Sequence, residues 1–253
     1  MVAIARGLDG VVLTETRLSR VDGVAGELTI AGFPVEDLAP RASFEEVIFL
    51  LWHDRLPTAA ELRDLRQQMA YERALPPLAL DVLRSAAAEN LDPMDALRMA
   101  VDVIGLCGAE PHHVPSPVDL GCAISLVSHM PTIVAAYWRM LHYQQPIPPD
   151  DSLGHAENYL AMLTGEAPRP HAARALETYL NSVVDHGMNA STFAARVITS
   201  TRSDMVSSIV GAIGALKGPL HGGAPGPALD MLPELRHRPA VSGKALGDQA
   251  EAR

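Results

Sequence analysis

Two histidines sit where an imidazole could act rather than pack. His221 lies in GPLHGG, residues 218–223, where glycines leave the ring uncrowded and the backbone amides free to donate. His186 lies in VVDHGMNAST, beside Asp185 and directly before Gly187, with Asn189 opening the next helical pattern. An imidazole in either setting can move a proton near neutral pH or donate a hydrogen bond to a developing oxygen charge. The ordinary fate of a lone histidine is a structural or solvated one. What raises this pair is that each stands at a helix-terminal break with glycine on its C-terminal side.

Other chemistries have little support. His112 and His113 are adjacent in a proline-bounded stretch, which suits neither one helix face nor a tetrahedral metal site and reads as a surface loop. The chain has no HExxH, no GxSxG, no GxxxxGK[ST] and no GxGxxG, so no metal site and no nucleotide loop is expected. The two cysteines, Cys107 and Cys122, have neither ligand spacing nor the density of a disulfide framework and read as small core residues.

The elements that must hold the histidines are mostly helices. Ser43 with Glu46 and Thr58 with Glu61 each pair a hydroxyl with a glutamate three residues on, the spacing of a capping box, so helices begin at both places. Asp92-Pro93 and Ser116-Pro117 put proline at a first helical position, where its missing amide costs nothing. The second opening leads into a broad apolar stripe from Ile124 to Trp138, which Pro131 should kink or interrupt. QQPIPPDD, residues 144–151, is a stiff loop, and helical patterns resume at 152–163, 171–186, 190–201 and 204–217. In the last of these, Ser203 is placed to cap, Asp204 and Lys217 complement the dipole, and Gly218-Pro219 ends the helix. Ser207, Gly211 and Ala215 form a stripe of small side chains along it, suited to close helix packing within the domain or, on weaker grounds, between subunits. Before residue 40, spaced glycines and short β-branched pieces around Leu28 to Ile30 suggest a small strand or hairpin. No β–α alternation follows, so the expected class is mainly α with a short N-terminal β element.

Composition narrows the partners. With 253 residues, 48% of them hydrophobic, the chain can bury a substantial core. Thirty acidic against twenty basic residues give a net charge of −10, and no basic stretch offers a footprint for nucleic acid. The N-terminus lacks the apolar run of a signal peptide, and no segment reaches the roughly 18 uninterrupted apolar residues of a membrane span. A soluble, cytoplasmic protein with no membrane or nucleic-acid partner is the expectation.

The run DHGMNASTFAARVITSTRSDMVSSIVGAIGALKGPLHGGA, residues 185–224, closely resembles the central segment of citrate synthases, with the motifs DHxxNAS and GPLHGG. SRVDGVAGELTIAGFPVEDL, SFEEVIFLLWHDRLPT, DPMDALRMAVDVIG, MPTIVAAYWRM and HAENYLAMLTGEAP are similar to the same family in order and spacing. The resemblance covers residues from about 13 to about 232 and is nearest the short bacterial and archaeal type of citrate and 2-methylcitrate synthases. It implies a multi-helical large domain, dimerisation through packed antiparallel helices, and condensation of acetyl-CoA or propionyl-CoA with oxaloacetate, with no permanently bound cofactor. It also implies that His221 donates a hydrogen bond to the thioester carbonyl, that His186 contacts oxaloacetate and that Asn189 helps shape the pocket.

The pattern departs from the family in places. Pro225 stands where asparagine is usual, and Gly187 where an acidic residue is common. The expected organisation is a large domain over 1–232 and an unmatched, disordered tail over 233–253. The family's small domain, with its second catalytic histidine in a GFGHRVY-like motif, its catalytic aspartate and its carboxylate-binding arginines, has no counterpart in the sequence. Asp185 and Glu234 are carboxylates with nothing to place them as a replacement base. From this the 253-residue polypeptide is expected to be inactive by itself, a frameshifted or shortened member. It would assemble as a homodimer or with a full-length or C-terminal partner; the alternatives are a non-catalytic binding partner or a citryl-CoA lyase-like activity.

Overall fold

The computed structural model describes residues 12–108 and 119–222. Among them, three short strands precede ten helices. Strands β1 (Ser19–Asp22), β2 (Glu27–Ile30) and β3 (Phe33–Pro34) form an antiparallel sheet in the order β1-β2-β3, with Ser19 opposite Ile30 and Ile30 opposite Phe33. The expected hairpin is therefore a three-stranded meander. Helices follow at α1 (Val35–Leu38), α2 (Phe44–His53), α3 (Ala59–Tyr71), α4 (Pro77–Ala88), α5 (Pro93–Gly108), α6 (Leu120–Leu141), α7 (His155–Thr164), α8 (Pro170–Ser182), α9 (Ala190–Ser200) and α10 (Met205–Leu216).

Local chemistry sets many of these boundaries. Ser43 and Thr58 form the capping boxes with Glu46 and Glu61, each side chain exchanging hydrogen bonds with the other residue's amide. Two other starts lie a few residues from the sequence expectation. Asp119, not Ser116, caps α6, its Oδ1 accepting from Cys122 N at 3.1 Å; Ser116 and Pro117 lie outside the described residues. Asp204, not Ser203, caps α10, accepting from Ser207 N at 2.7 Å, where its charge also meets the positive end of the helix.

Helix α6 is the centre of the molecule, packed by α3, α4, α5, α7 and α10. It runs unbroken through Pro131, so of the kink or interruption expected there the interruption does not occur. A proline inside a helix costs about 3 kcal/mol, and the burial around it offsets that: Ile124, Leu126, Ile133, Ala136 and Tyr137 are all buried. By length and mean hydropathy (1.4) α6 could cross a bilayer, but half of that stretch is covered by the helices around it. One core joins α4, α5, α6 and α10 through Leu83, Val101, Leu126, Ile133 and Ile213. A second gathers Phe44, Ile48, Phe49, Leu65, Met69 and Ile124 from α2, α3 and α6. A third seats Ile30 of the sheet on Leu38, Val47 and Leu50.

The pair α9–α10 hangs on this frame through α10. Gly105 of α5 lets Val206 approach so closely that a Cβ there would lie 2.6 Å from Val206 Cγ1, and a Cβ at Gly211 would overlap Ile198 Cδ1 of α9. The small stripe thus serves packing inside the domain, at least at Gly211. Thr199 and Ser208 join their hydroxyls across the same seam at 2.9 Å. No residue of α9 is fully buried; Phe193 and Val197 remain partly in solvent.

Candidate active site at the start of the ninth helix

After Leu216 the chain closes into a tight turn. His221 N–H donates to Gly218 O at 2.9 Å, and Gly222 N–H reaches back to Leu216 O, also at 2.9 Å, so the last carbonyl of α10 is satisfied by the turn itself. A Cβ at position 222 would overlap the Leu216 carbonyl, which is why glycine follows the histidine. Lys217 pairs with Asp95, tying this end of α10 to α5.

The turn carries the half-buried His221 to the N-terminus of α9. Its Nε2 lies 3.0 Å from Ser191 Oγ and 3.4 Å from Ser191 N. The backbone N–H can only donate, so this contact calls for a lone pair on Nε2, and a neutral ring then carries its proton on Nδ1. Ser191 is itself held, since its hydroxyl reaches Asn189 Oδ1 at 2.7 Å. That same Oδ1 accepts Thr192 N–H at 2.9 Å, so Asn189 is the cap of α9. The hydroxyl's single proton has two acceptors within reach, Asn189 Oδ1 and His221 Nε2, whereas the amide addresses the ring alone.

The residues before the cap form an ordered turn rather than helix. α8 stops at Ser182, four residues short of the expected end. Asp185 Oδ1 accepts from Gly187 N at 3.1 Å and from Ser19 Oγ of β1, which pins the turn to the sheet. Gly187 has φ +90, a left-handed conformation that a side chain would strain. Asp185 is thereby engaged as a structural acceptor. His186 is exposed, and no hydrogen bond to its ring is found among the described residues.

The structure therefore brings His221 and Asn189 together through Ser191 and places His186 on the adjoining turn. Ser191, the last residue of the DHxxNAS motif, is the participant that sequence reasoning did not single out. A cavity of about 640 Å³ opens beside it, lined by Ser191, Thr192, Arg196 and Thr199 of α9 and by Ile209 and Ala212 of α10. Burial and the charges of Asp119 and Asp204 raise the Cys122 thiol, so it offers no thiolate nucleophile, and the side chain is half-buried against the core rather than within it. Among the described residues no group of three or more histidine, cysteine, aspartate or glutamate side chains could hold a metal ion. His112, His113, Pro225 and Glu234 lie outside the described residues, and so does the side chain of Cys107.

The site can be compared with known proteins. Residues 7–250 match the family model "Citrate synthase, C-terminal domain", a span that crosses residue 232. "Citrate synthase 2" of Bacillus subtilis is 44% identical over 230 residues, covering 91% of this chain and 61% of the relative. "2-Methylcitrate synthase" of Mycobacterium tuberculosis is 43% identical over 221 residues, covering 87% of this chain and 56% of the relative. Citrate synthase of Thermoplasma acidophilum, solved as a ternary complex with carboxymethyl coenzyme A and oxaloacetate, superposes with a TM-score of 0.82 at 31% identity, covering 92% of this chain and 61% of that one. The enzyme from Thermotoga maritima superposes with a TM-score of 0.78 at 39% identity, again over 92% of this chain. The chain spans about three-fifths of the length of the relatives it matches.

Proposed function

This chain belongs to the citrate synthase family, and we propose that it supplies the carbonyl-polarising half of a condensation between an acyl-CoA, acetyl or propionyl, and oxaloacetate. The observation that carries the proposal is the contact of His221 Nε2 with the backbone N–H and hydroxyl of Ser191, which leaves Nδ1–H as the donor of a neutral ring. When the α-proton of the thioester leaves, negative charge develops on the carbonyl oxygen, and a donor already in position needs no reorganisation to stabilise it. Removing one such donor from a preorganised site typically costs about 2.7–4 kcal/mol, or 10²–10³ in rate.

In this reading His186 contacts oxaloacetate from the turn that Asp185 holds. Asn189 acts at one remove: its amide is spent on the α9 cap, so it fixes Ser191 and the pocket wall rather than reaching for a ligand. The reaction needs no resident cofactor. It also needs a base for a weakly acidic C–H and cations for a dicarboxylate; among the described residues Arg196 lines the cavity beside Ser191, but no carboxylate does. In this reading the base lies outside the described residues, and the 253-residue polypeptide alone is expected to be inactive in condensation. A dimer or a hetero-assembly in the cytoplasm fits the partly exposed Phe193 and Val197 on α9.

The test is release of free CoA thiol from acetyl-CoA or propionyl-CoA plus oxaloacetate. The chain alone is expected to release none above the buffer rate, and a chimera in which the remaining two-fifths of a full-length relative follows residue 232 is expected to release it catalytically. An inactive but folded chimera that also fails to bind oxaloacetate would overturn the proposal.

A further inference from the structure

A cavity of about 810 Å³ lies away from His221, between α2, α3, the 151–154 turn, α7 and α8. That is within the range of roughly 300–1,000 Å³ in which small-molecule sites fall. At its floor is His155, the first residue of α7, only 6% exposed and stacked on Phe44 with ring centroids 4.5 Å apart. Its backbone N–H donates to Glu45 Oε1 at 3.0 Å, but neither ring nitrogen has a hydrogen-bond partner among the described residues. The ring nitrogens are not among the polar atoms fully shut off from solvent, so an unpartnered imidazole on a side chain that is otherwise buried opens onto the cavity and can accept from something that enters it.

The charges around it say what. Glu45, Asp151, Glu157 and Glu177 face the cavity against two guanidiniums, Arg66 and Arg174. Arg174 is committed to Glu177 and to the carbonyls of Ala39 and Ala42. Arg66 stays 3.7 Å from Glu45 Oε2, an ion pair too long for a hydrogen bond. Behind them, Arg73 faces Glu45, Asp150 and Asp151, which leaves five carboxylates against three guanidiniums. These carboxylates do not converge on a point, since no three metal-binding groups among the described residues come close enough to hold an ion. Separated negative charges suit a ligand whose positive charges are separated too. Burial, and after it the charge of Arg73, push the His155 imidazole down to about 3, so the ring is uncharged at neutral pH and can accept an N–H, with the carboxylates of the cavity left to outweigh Arg73.

We propose that this cavity binds an aliphatic diamine or polyamine, its ammonium groups donating to Asp151 and Glu157 near the mouth and to a free ring nitrogen of His155 at the floor. Asp151 lies exposed at the entrance, while Glu157 keeps one oxygen on Gly154 N at 3.1 Å and has the other to offer. The experiment titrates the ¹⁵N-histidine-labelled 253-residue chain with 1,4-diaminobutane and with spermidine, following the His155 ring resonances and the heat of binding. Succinate, a four-carbon dianion, is the charge control, and 1-aminobutane tests for adventitious ammonium binding. Saturable shifts at His155 with a Kd of about 1 mM or tighter, stronger for spermidine, are expected. Asp151→Asn and Glu157→Gln keep the shape and the α7 cap, and each should weaken binding at least about fivefold, roughly 1 kcal/mol of charge interaction. Resonances that stay fixed up to about 10 mM spermidine, an affinity range of only a few kcal/mol, would overturn the proposal. So would equal binding of succinate or 1-aminobutane, or two variants that bind as the parent does.

Discussion

Asn189 is the residue at which a capping role and a ligand role make different forecasts. Its Oδ1 accepts from Thr192 N–H at 2.9 Å and from Ser191 Oγ at 2.7 Å. Asn189→Ala removes both bonds. Losing an N-cap acceptor costs about 1 kcal/mol, within a range of 0.5–2. The Ser191 hydroxyl is not orphaned, because His221 Nε2 remains 3.0 Å away, so no further desolvation penalty is added. About 1 kcal/mol in a chain of this size corresponds to a melting temperature lower by roughly 2–4 °C. Asn189→Asp keeps both acceptor bonds and adds negative charge at the positive end of α9, worth about 0.3–1 kcal/mol. Circular dichroism at 222 nm, a wavelength set by helix content and so about the right probe for a mainly α chain, should therefore rank Asn189→Asp at or above the parent and Asn189→Ala below it. If Asn189→Ala melts with the parent, or Asn189→Asp falls as far as Asn189→Ala, the cap is not what this side chain does.

Two further predictions concern the frame. Gly211→Val should destabilise by about 1–3 kcal/mol through overlap with Ile198, and Ile198→Ala in the same chain should restore part of that loss; chemical denaturation of the single and double variants checks the coupling, and strict additivity would refute it. His155 gives a pH signature: its folded-state value near 3 lies far below that of an unfolded histidine, so the stability it contributes is complete above about pH 6.5 and is lost as pH falls from there toward 3. Melting temperature measured from pH 7 to pH 4 should fall by an amount worth a few kcal/mol, and the fall should flatten in His155→Gln; an equal slope in the variant would count against it.

Much of the fold was legible because its signals are local. The capping boxes at Ser43 and Thr58, the loop at 144–151 and the four helices after it each depend on residues within one turn of one another. The misplacements have the same origin. At α6 and α10 an aspartate stood one to three residues from the serine chosen, and the choice between neighbouring caps is made by the backbone path. Pro131 breaks an isolated helix but not one enclosed by five others. Both histidine motifs could be read from the sequence, but the link between them could not: Ser191 and His221 are thirty residues apart and meet only because α9 and α10 pack as a close pair through Gly211. His155 was invisible for a related reason. Its isolation comes from Phe44 and Glu45, about 110 residues earlier in the chain, and nothing around position 155 announces them.

The account turns on His221 acting through a hydrogen bond, and the most direct measurement is kcat and KM for thiol release by the chimera completed after residue 232, with His221→Ala beside His221→Gln. The alanine variant is predicted to lose about 10²–10³ in kcat with KM for oxaloacetate little changed, and the glutamine variant, which keeps an N–H donor, to recover part of the loss. An alanine variant that turns over as fast as its parent would contradict the assignment of His221 outright.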